Sequence, residues 1–263
     1  MRFRNLVINL TAIAIFGATT LALQFPKLNQ KLSGQTLAET QKAVREEEAR
    51  LRLIRQLPSR GLGFNNMIAD FAFLQFLQYF GDDLARNDFQ TGYSLSPLYF
   101  ENIIDRDPRF LSSYLYVSSS VSMFAALPKK AIDIYSRGIK SLNPDQQPSA
   151  YIVWRYKAAD QLLFVGDAKA ARESYLQAAA WADRASLSGQ KLSDDPKLVA
   201  ELSRESAQWL EQDRDLSKAQ ISAWSMVLQN ATDKKTVQIV AQELDKLGKK
   251  IEVKDGKLIV VPR

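Results

Sequence analysis

The sequence of 263 residues contains no cysteine and no histidine. Without these side chains the protein cannot form a disulfide, a thiol nucleophile, an imidazole base or a Cys/His zinc site. Catalysis would have to use carboxylates, Lys, Ser, Thr or Tyr, or a metal held by oxygen ligands, and no such cluster has a recognisable spacing. We therefore expect a protein that is not an enzyme and that uses no metal and no cofactor.

Long tracts of charge of one sign are also missing. The net charge is +6, from 35 Lys and Arg against 29 Asp and Glu. The basic pairs Lys129-Lys130, Lys234-Lys235 and Lys249-Lys250 lie far apart, with acids between them. A protein that binds nucleic acid needs a continuous basic surface to neutralise phosphates, so we expect no nucleic acid partner.

The most apolar segment is Leu6 to Phe25, which contains no charged side chain. At about 1.5 Å per residue it is long enough to cross a hydrocarbon core of roughly 30 Å. Because Arg2 and Arg4 precede it, the positive-inside rule predicts a single-pass anchor over residues 1–25, with the rest of the chain on the non-cytoplasmic side, in a periplasm or lumen. A cleaved signal peptide with a site at Thr20 to Ala22 is the main alternative, and a buried soluble helix is the other.

Residues 26–60 are predicted to form a linker and an exposed helix. Thr36 and Glu39 have the spacing of a capping box, and Pro58 is expected to end the helix. A solvated stalk is one interpretation of this segment. A coiled-coil dimer is another, although the required heptads are not sustained.

Residues 61–248 are predicted to form a helical domain. Its first segment, Phe64 to Asp83, is apolar on nearly every face, so it must be buried or covered on nearly every face. It is interpreted either as a central core helix or as a docking surface for a membrane-embedded partner. Asp70, Gln75 and Gln78 argue against a second membrane span.

Helical periodicity then continues almost to the C-terminus. Residues 249–263 differ, because two apolar runs flank Asp255-Gly256, a signal for a two-residue β-hairpin turn. Such a hairpin is marginal alone and would have to pack on the last helix. The predicted helices are Pro97–Arg106, Phe110–Ala126, Pro128–Leu142, Pro148–Val165, Ala168–Ala185, Pro196–Gln212, Leu216–Asn230 and Asp233–Lys246.

Small residues and turns recur along these helices at a repeat-like spacing. The clearest unit, Ile152 to Asp183, contains Ala159, then Gly166-Asp167, then Ala171, Tyr175 and Ala178. This order resembles the tetratricopeptide repeat, and a second unit from Ser112 to Asn143 keeps Ala131 and Tyr135 but has Gly138 where an alanine is expected. The spacing departs from the family's period through insertions, and a generic helical bundle is the alternative.

With the anchor, the chain looks like the membrane-anchored tetratricopeptide-like proteins of bacteria and, more loosely, like those that assist assembly of photosynthetic complexes in cyanobacteria. The resemblance implies an all-α antiparallel helix-turn-helix array after an N-terminal transmembrane helix, with a small C-terminal β-hairpin. Such arrays bind peptides or helices on the face made by the first helix of each pair. Carried onto this chain, that face contains the expected partner-binding residues Tyr116, Ser120, Phe124, Tyr156 and Asp160, with Ser113, Met123, Val153, Leu163 and Phe164 beside them. An array this short can also close around the Phe64 segment and leave no groove.

The expected function is a membrane-anchored scaffold for protein–protein interaction that assists assembly or stability of a membrane protein complex, with membrane proteins as its partners. One alternative is an accessory subunit of such a complex. The other is a carboxylate-based enzyme, for which Asp70, Asp82 and Asp83 are the available acids.

Overall fold

The computed structural model describes residues 11, 13, 15–22, 24–25, 36–57, 63–212, 215–254 and 256–263. The chain divides into two units, Met1–Arg45 and Glu46–Arg263. The helices, numbered in chain order, have these bounds: α1 Leu37–Gln56, α2 Asn65–Phe80, α3 Asp83–Asn87, α4 Ser96–Arg106, α5 Leu115–Val117, α6 Pro128–Ile139, α7 Tyr151–Asp160, α8 Ala168–Ser186, α9 Pro196–Trp209, α10 Ser217–Asn230 and α11 Lys234–Lys246.

Two of these helices are parts of longer, composite ones. α5 follows the 3-10 turn Leu111–Tyr114 and continues as the π-helical segment Ser118–Phe124. α7 follows the 3-10 turn Pro148–Ala150 and continues as the π-helical segment Gln161–Val165. We call them the 111–124 helix and the 148–165 helix. The mostly helical fold is therefore confirmed, and the predicted helix boundaries agree with it to within a few residues.

The first unit contains described helical residues at 11, 13, 15–22 and 24–25. Of the predicted span Leu6–Phe25, residues 6–10, 12, 14 and 23 lie outside the described residues. Within the part of the chain that the structure describes, no helix is long and apolar enough to cross a membrane. The capping box is confirmed, since the Thr36 N–H donates to Glu39 Oε2 at 2.9 Å and the Glu39 N–H donates to Thr36 Oγ1 at 3.3 Å.

In the second unit, polar side chains of α4 donate hydrogen bonds to the C-terminal end of α1. Asn102 Nδ2 donates to the Leu51 carbonyl at 3.1 Å. Buried Arg106 donates to the Ile54 carbonyl at 2.7 Å and the Leu57 carbonyl at 2.6 Å. The last carbonyls of a helix lack partners within it, so a cation there caps the helix and complements its dipole.

The C-terminal helices form antiparallel pairs. In the 148–165 helix, Trp154 lies edge-to-face on Trp181 of α8, with ring centroids 5.9 Å apart, and Gln161 Oε1 accepts from Ser174 Oγ at 2.7 Å. The turn between them forms as predicted, because Gly166 adopts φ +74° and the Asp167 side chain caps α8 at the Ala170 N–H. α8 packs in turn on α9.

The C-terminal hairpin is confirmed. β1 (Lys249–Lys254) pairs antiparallel with β2 (Lys257–Pro262), in the register that sets Lys254 opposite Lys257. β1 packs against α11, and Ile251 and Val260 extend the apolar cluster between α10 and α11. A two-stranded ribbon is marginal alone, so this packing on the last helix pair is what stabilises it.

Close packing explains why position 138 is a glycine, where the resemblance to the tetratricopeptide repeat implies an alanine. Gly138 lies in α6 against the buried ring of Tyr114, and a Cβ built on it would lie 2.6 Å from Tyr114 Cζ and 2.7 Å from Cε1. The Tyr114 hydroxyl donates to the Pro108 carbonyl at 2.9 Å, which fixes the ring. Only a residue without a Cβ fits between the 111–124 helix and α6.

We expect Gly138→Ala to lower the free energy of unfolding by about 1–3 kcal/mol, because the Tyr114 ring must move away from its hydrogen bond. Denaturant unfolding of the full chain measures the change. In a helix interior without a clash, the same substitution stabilises by about 1 kcal/mol, so a gain in stability would contradict the packing argument.

Candidate interaction surface

The expected partner-binding aromatic residues of the 111–124 helix pack against α2. Tyr116 of the 111–124 helix lies edge-on to Phe73, with ring centroids 5.4 Å apart. At the other end of the same helix, the ring centroid of Phe124 lies 5.1 Å from that of Phe80. These two expected partner-binding side chains are therefore half-buried against α2.

Ser120 and Asp160 lie in the interior rather than on an open face. The buried Ser120 hydroxyl donates to the Tyr116 carbonyl at 2.7 Å. The Asp160 carboxylate is 1% exposed and accepts from Ser118 Oγ and Ser122 Oγ, both at 2.6 Å. The expectation that these two side chains line an open groove is thereby corrected, because they join the 111–124 helix to the 148–165 helix.

Tyr156 is half-buried, and its ring centroid lies 6.3 Å from that of Tyr135. It therefore keeps some accessible surface. Of the neighbouring residues predicted for the same face, Ser113, Val153 and Phe164 are buried and Met123 and Leu163 are half-buried. Most residues of this predicted face are therefore packed in the interior of the protein.

Burial makes Asp160 an unusual acid. Desolvation of the carboxylate raises its pKa from 3.8 to about 6, although the two serine hydrogen bonds lower it. Burial raises the pKa of the neighbouring Tyr135 hydroxyl well above its usual value, and the charge of Asp160 raises this pKa further. The Asp160 charge is thus held by two hydroxyl groups and by no cation among the interactions of the described residues.

The opposite face of α2 is an exposed apolar stripe, formed by residues three or four positions apart. Ala69, Ala72 and Phe76 are buried on the inner face. On the outer face, Phe64, Met67, Phe71 and Leu74 are 50–67% exposed and Leu77 is 39% exposed. At about 1.5 Å per residue the stripe is roughly 20 Å long. Large contiguous apolar patches on a protein surface mark sites of protein or membrane contact.

The end of α1 extends this surface. Arg50 Nη2 donates to Gln75 Oε1 at 2.7 Å, and Arg106, which caps α1, also donates to Asn65 Oδ1 at 3.1 Å. These contacts hold the last turns of α1 beside α2. Leu53 of α1 and Leu57, the residue after its end, are exposed, as the stripe is. We define the α2 stripe as Phe64, Met67, Phe71, Leu74 and Leu77, and treat Leu53 and Leu57 as its neighbours.

Two of the three acidic residues considered for catalysis, Asp82 and Asp83, lie at the start of α3. Asp82 Oδ1 accepts from the Ala85 N–H at 3.2 Å, as a residue that caps a helix does, and Asp83 begins α3. Asp70 is exposed on α2. In the described part of the chain, no group of three or more acidic side chains is arranged to hold a metal ion.

The sequence contained a signal for the stripe, namely an α2 that is apolar on nearly every face. Of the two interpretations, the structure realises the core helix on the inner face and leaves the outer face uncovered within the described residues. The sequence alone did not indicate which face of α2 is buried and which is exposed. Comparison of the chain with protein-family models, curated proteins and solved structures finds no match.

We expect Asp160 to make stability fall as the pH rises from about 4 to about 6. Its pKa is higher in the folded protein than in the unfolded chain, so the native state binds more protons in this window. Ionisation of Asp160 lowers the free energy of unfolding by about 2–3 kcal/mol, and the change levels off only about one pH unit above the native pKa. Asp160→Asn should remove this component.

The measurement is denaturant unfolding of the full chain and of Asp160→Asn across this pH range, taken as the difference between the two proteins. The exposed Asp133→Asn serves as control and should follow the unsubstituted protein. Parallel curves for Asp160→Asn and the unsubstituted protein would show that the buried carboxylate does not titrate in this window.

Proposed function

We propose that the protein is a membrane-anchored, non-catalytic scaffold that binds an apolar helix of a membrane protein on the α2 stripe and so assists assembly or stability of a membrane complex. The observation that carries the proposal is the exposed stripe, whose five large apolar residues lie on one face of a single helix. A soluble monomer rarely exposes such a face without a partner for it.

The spacing of the stripe favours a helical partner. Residues at intervals of three and four positions along about four turns present an apolar ridge, interrupted by the exposed Asp70 between Met67 and Leu74. A second amphipathic helix matches this geometry. Phe64 and Phe71 offer large rigid side chains, which lose little conformational entropy when they bind. The partner we propose therefore carries a helix with few charges, as helices of membrane proteins do.

The rest of the domain gives the stripe a rigid support. The inner face of α2 approaches α4 and the 111–124 helix through Ala69, Ala72 and Phe76, so the outer face keeps a fixed position. In the tetratricopeptide-like interpretation, α2 lies on the face that would otherwise receive a peptide. In this interpretation the partner binds the outer face of α2, and not an open groove between the repeats.

The anchoring part of the proposal rests on the uncharged segment Leu6–Phe25 in the sequence. A membrane anchor would raise the effective concentration of the stripe near membrane-embedded partners. A stripe of modest affinity would then be sufficient for transient assembly work.

The test is native-gel migration of mildly solubilised full-length protein from cells that produce it naturally. The stripe variant carries Phe71→Glu and Leu74→Glu, and the control carries Leu187→Glu and Leu198→Glu, which are also exposed. We expect the unsubstituted and control proteins to migrate with a large membrane assembly and the stripe variant to migrate alone. Both substituted positions are exposed, so the thermal unfolding of all three proteins should be similar.

A second arm replaces Leu6–Phe25 with a soluble tag. If the anchor and the stripe act together, this protein binds the purified assembly more weakly than the anchored one but still loses binding on Phe71→Glu and Leu74→Glu. Comigration of the stripe variant with the assembly, or migration of the unsubstituted protein as a free monomer, would overturn the docking proposal.

A further inference from the structure

A cavity opens where the two composite helices meet the last helix pair. Its volume is about 390 Å³, and Phe164, Trp224 and Ile239 form its apolar floor. The Phe164 and Trp224 rings meet edge-to-face with centroids 5.6 Å apart, and both residues are nearly inaccessible. The size and apolar lining are typical of a small-molecule site.

Both π-helical segments end at this cavity. In the first, the Leu127 N–H donates to the Val121 carbonyl at 2.8 Å, and in the second the Asp167 N–H donates to the Gln161 carbonyl at 3.0 Å. These widened turns are rare in helices and occur often at functional sites. The residues that follow the first segment, Ala126 to Lys130, and the last two residues of the second, Phe164 and Val165, line the cavity.

The wall also contains a strained residue. Ala126 is buried and adopts φ +56°, a left-handed conformation that glycine would adopt without cost. A residue with a Cβ pays of order 1–3 kcal/mol there, and such strain is concentrated at sites that use it. Here it turns the chain sharply into Pro128 at the start of α6.

The rim of the cavity is basic. Lys129 and Lys130 from the start of α6 and Lys246 from the end of α11 lie around it, together with Glu243. Lys246 Nζ contacts Glu243 Oε1 at 2.6 Å, and Lys130 Nζ lies 4.0 Å from Glu101 Oε1, which is not part of the lining. For Lys129 no ion pair is found within the described part of the chain. The lining therefore carries two positive charges in excess, and the positive end of the α6 dipole adds to them.

From this combination we infer that the cavity binds an amphiphilic anion, a molecule with an apolar body and one carboxylate or phosphate group. The body contacts Phe164, Trp224 and Ile239, and the anionic group lies at the rim near Lys129. A neutral apolar molecule would leave the charge of Lys129 without a partner, and a small inorganic anion would make no contact with the apolar part of the lining. The inference does not depend on the α2 stripe or on the membrane anchor.

Two sources offer this chemistry, namely a single-chain lipid such as a fatty acid and a water-soluble aromatic acid. The experiment uses decanoate for the first and 3-phenylpropanoate for the second, with decanol as the neutral probe. The full-length protein, kept soluble by a non-ionic amphipathic polymer, is labelled with 5-fluorotryptophan. It has four tryptophans, and Trp224→Phe assigns the fluorine resonance of Trp224.

We expect one of the two anions to shift the Trp224 resonance alone, in a saturable manner. Reversing two rim charges with Lys129→Glu and Lys246→Glu should weaken that binding by about tenfold or more, since each exposed charge pair contributes up to about 1 kcal/mol and reversal replaces attraction by repulsion. Ile239→Phe should block binding by filling the floor. The control, Lys140→Glu with Lys197→Glu, changes the same net charge far from the cavity lining and should bind as before.

Tighter binding of decanoate identifies a lipid-like ligand, and tighter binding of 3-phenylpropanoate identifies a soluble aromatic acid. The inference is overturned if neither anion shifts the Trp224 resonance, or if decanol binds as tightly as decanoate and the rim reversal has no effect. The remaining tryptophan resonances report whether each variant is folded. Where the rim variant fails to fold, Ile239→Phe provides the decisive comparison.

Discussion

Close packing of the inner face of α2 is the constraint on which the rest of the second unit depends. Ala69 and Ala72 let the helix approach its neighbours, and Phe76 then meets Phe100 with ring centroids only 4.6 Å apart. Aromatic pairs of this geometry stabilise beyond the area that they bury. Once this face is fixed, helix geometry directs Phe64, Met67, Phe71 and Leu74 outward, so the core contact and the exposed stripe have a single cause.

The same contact explains why Tyr116 and Phe124, the expected partner-binding residues of the 111–124 helix, do not line an open groove. Tyr116 and Phe124 are aromatic and face α2, whose own aromatic residues cover them. Polar residues on that face must then find partners in the interior, because a buried charge without hydrogen bonds is costly. Asp160 obtains them from Ser118 and Ser122, and in doing so joins the two composite helices to each other.

Much of this architecture could be predicted from local sequence signals. The Thr36–Glu39 capping box, the Gly166-Asp167 turn and the hairpin flanking Gly256 each depend on neighbouring residues, and each forms as expected. The orientation of α2 could not be predicted in this way. A helix that is apolar on all sides does not indicate which side is buried, and the choice depends on contacts with α4 and the 111–124 helix.

The cavity was beyond sequence reasoning for a related physical reason. Its floor and rim come from segments about a hundred residues apart, and its walls depend on π-helical turns that no periodicity of apolar residues reveals. Asp160 lies next to the second of these turns and bonds to Ser122 within the first. The buried carboxylate therefore fixes the relative register of the two helices whose ends form the cavity wall. A polar group retained in the core at a cost in stability thus gives the two widened helices a defined arrangement, which an apolar residue at this position could not specify by hydrogen bonding.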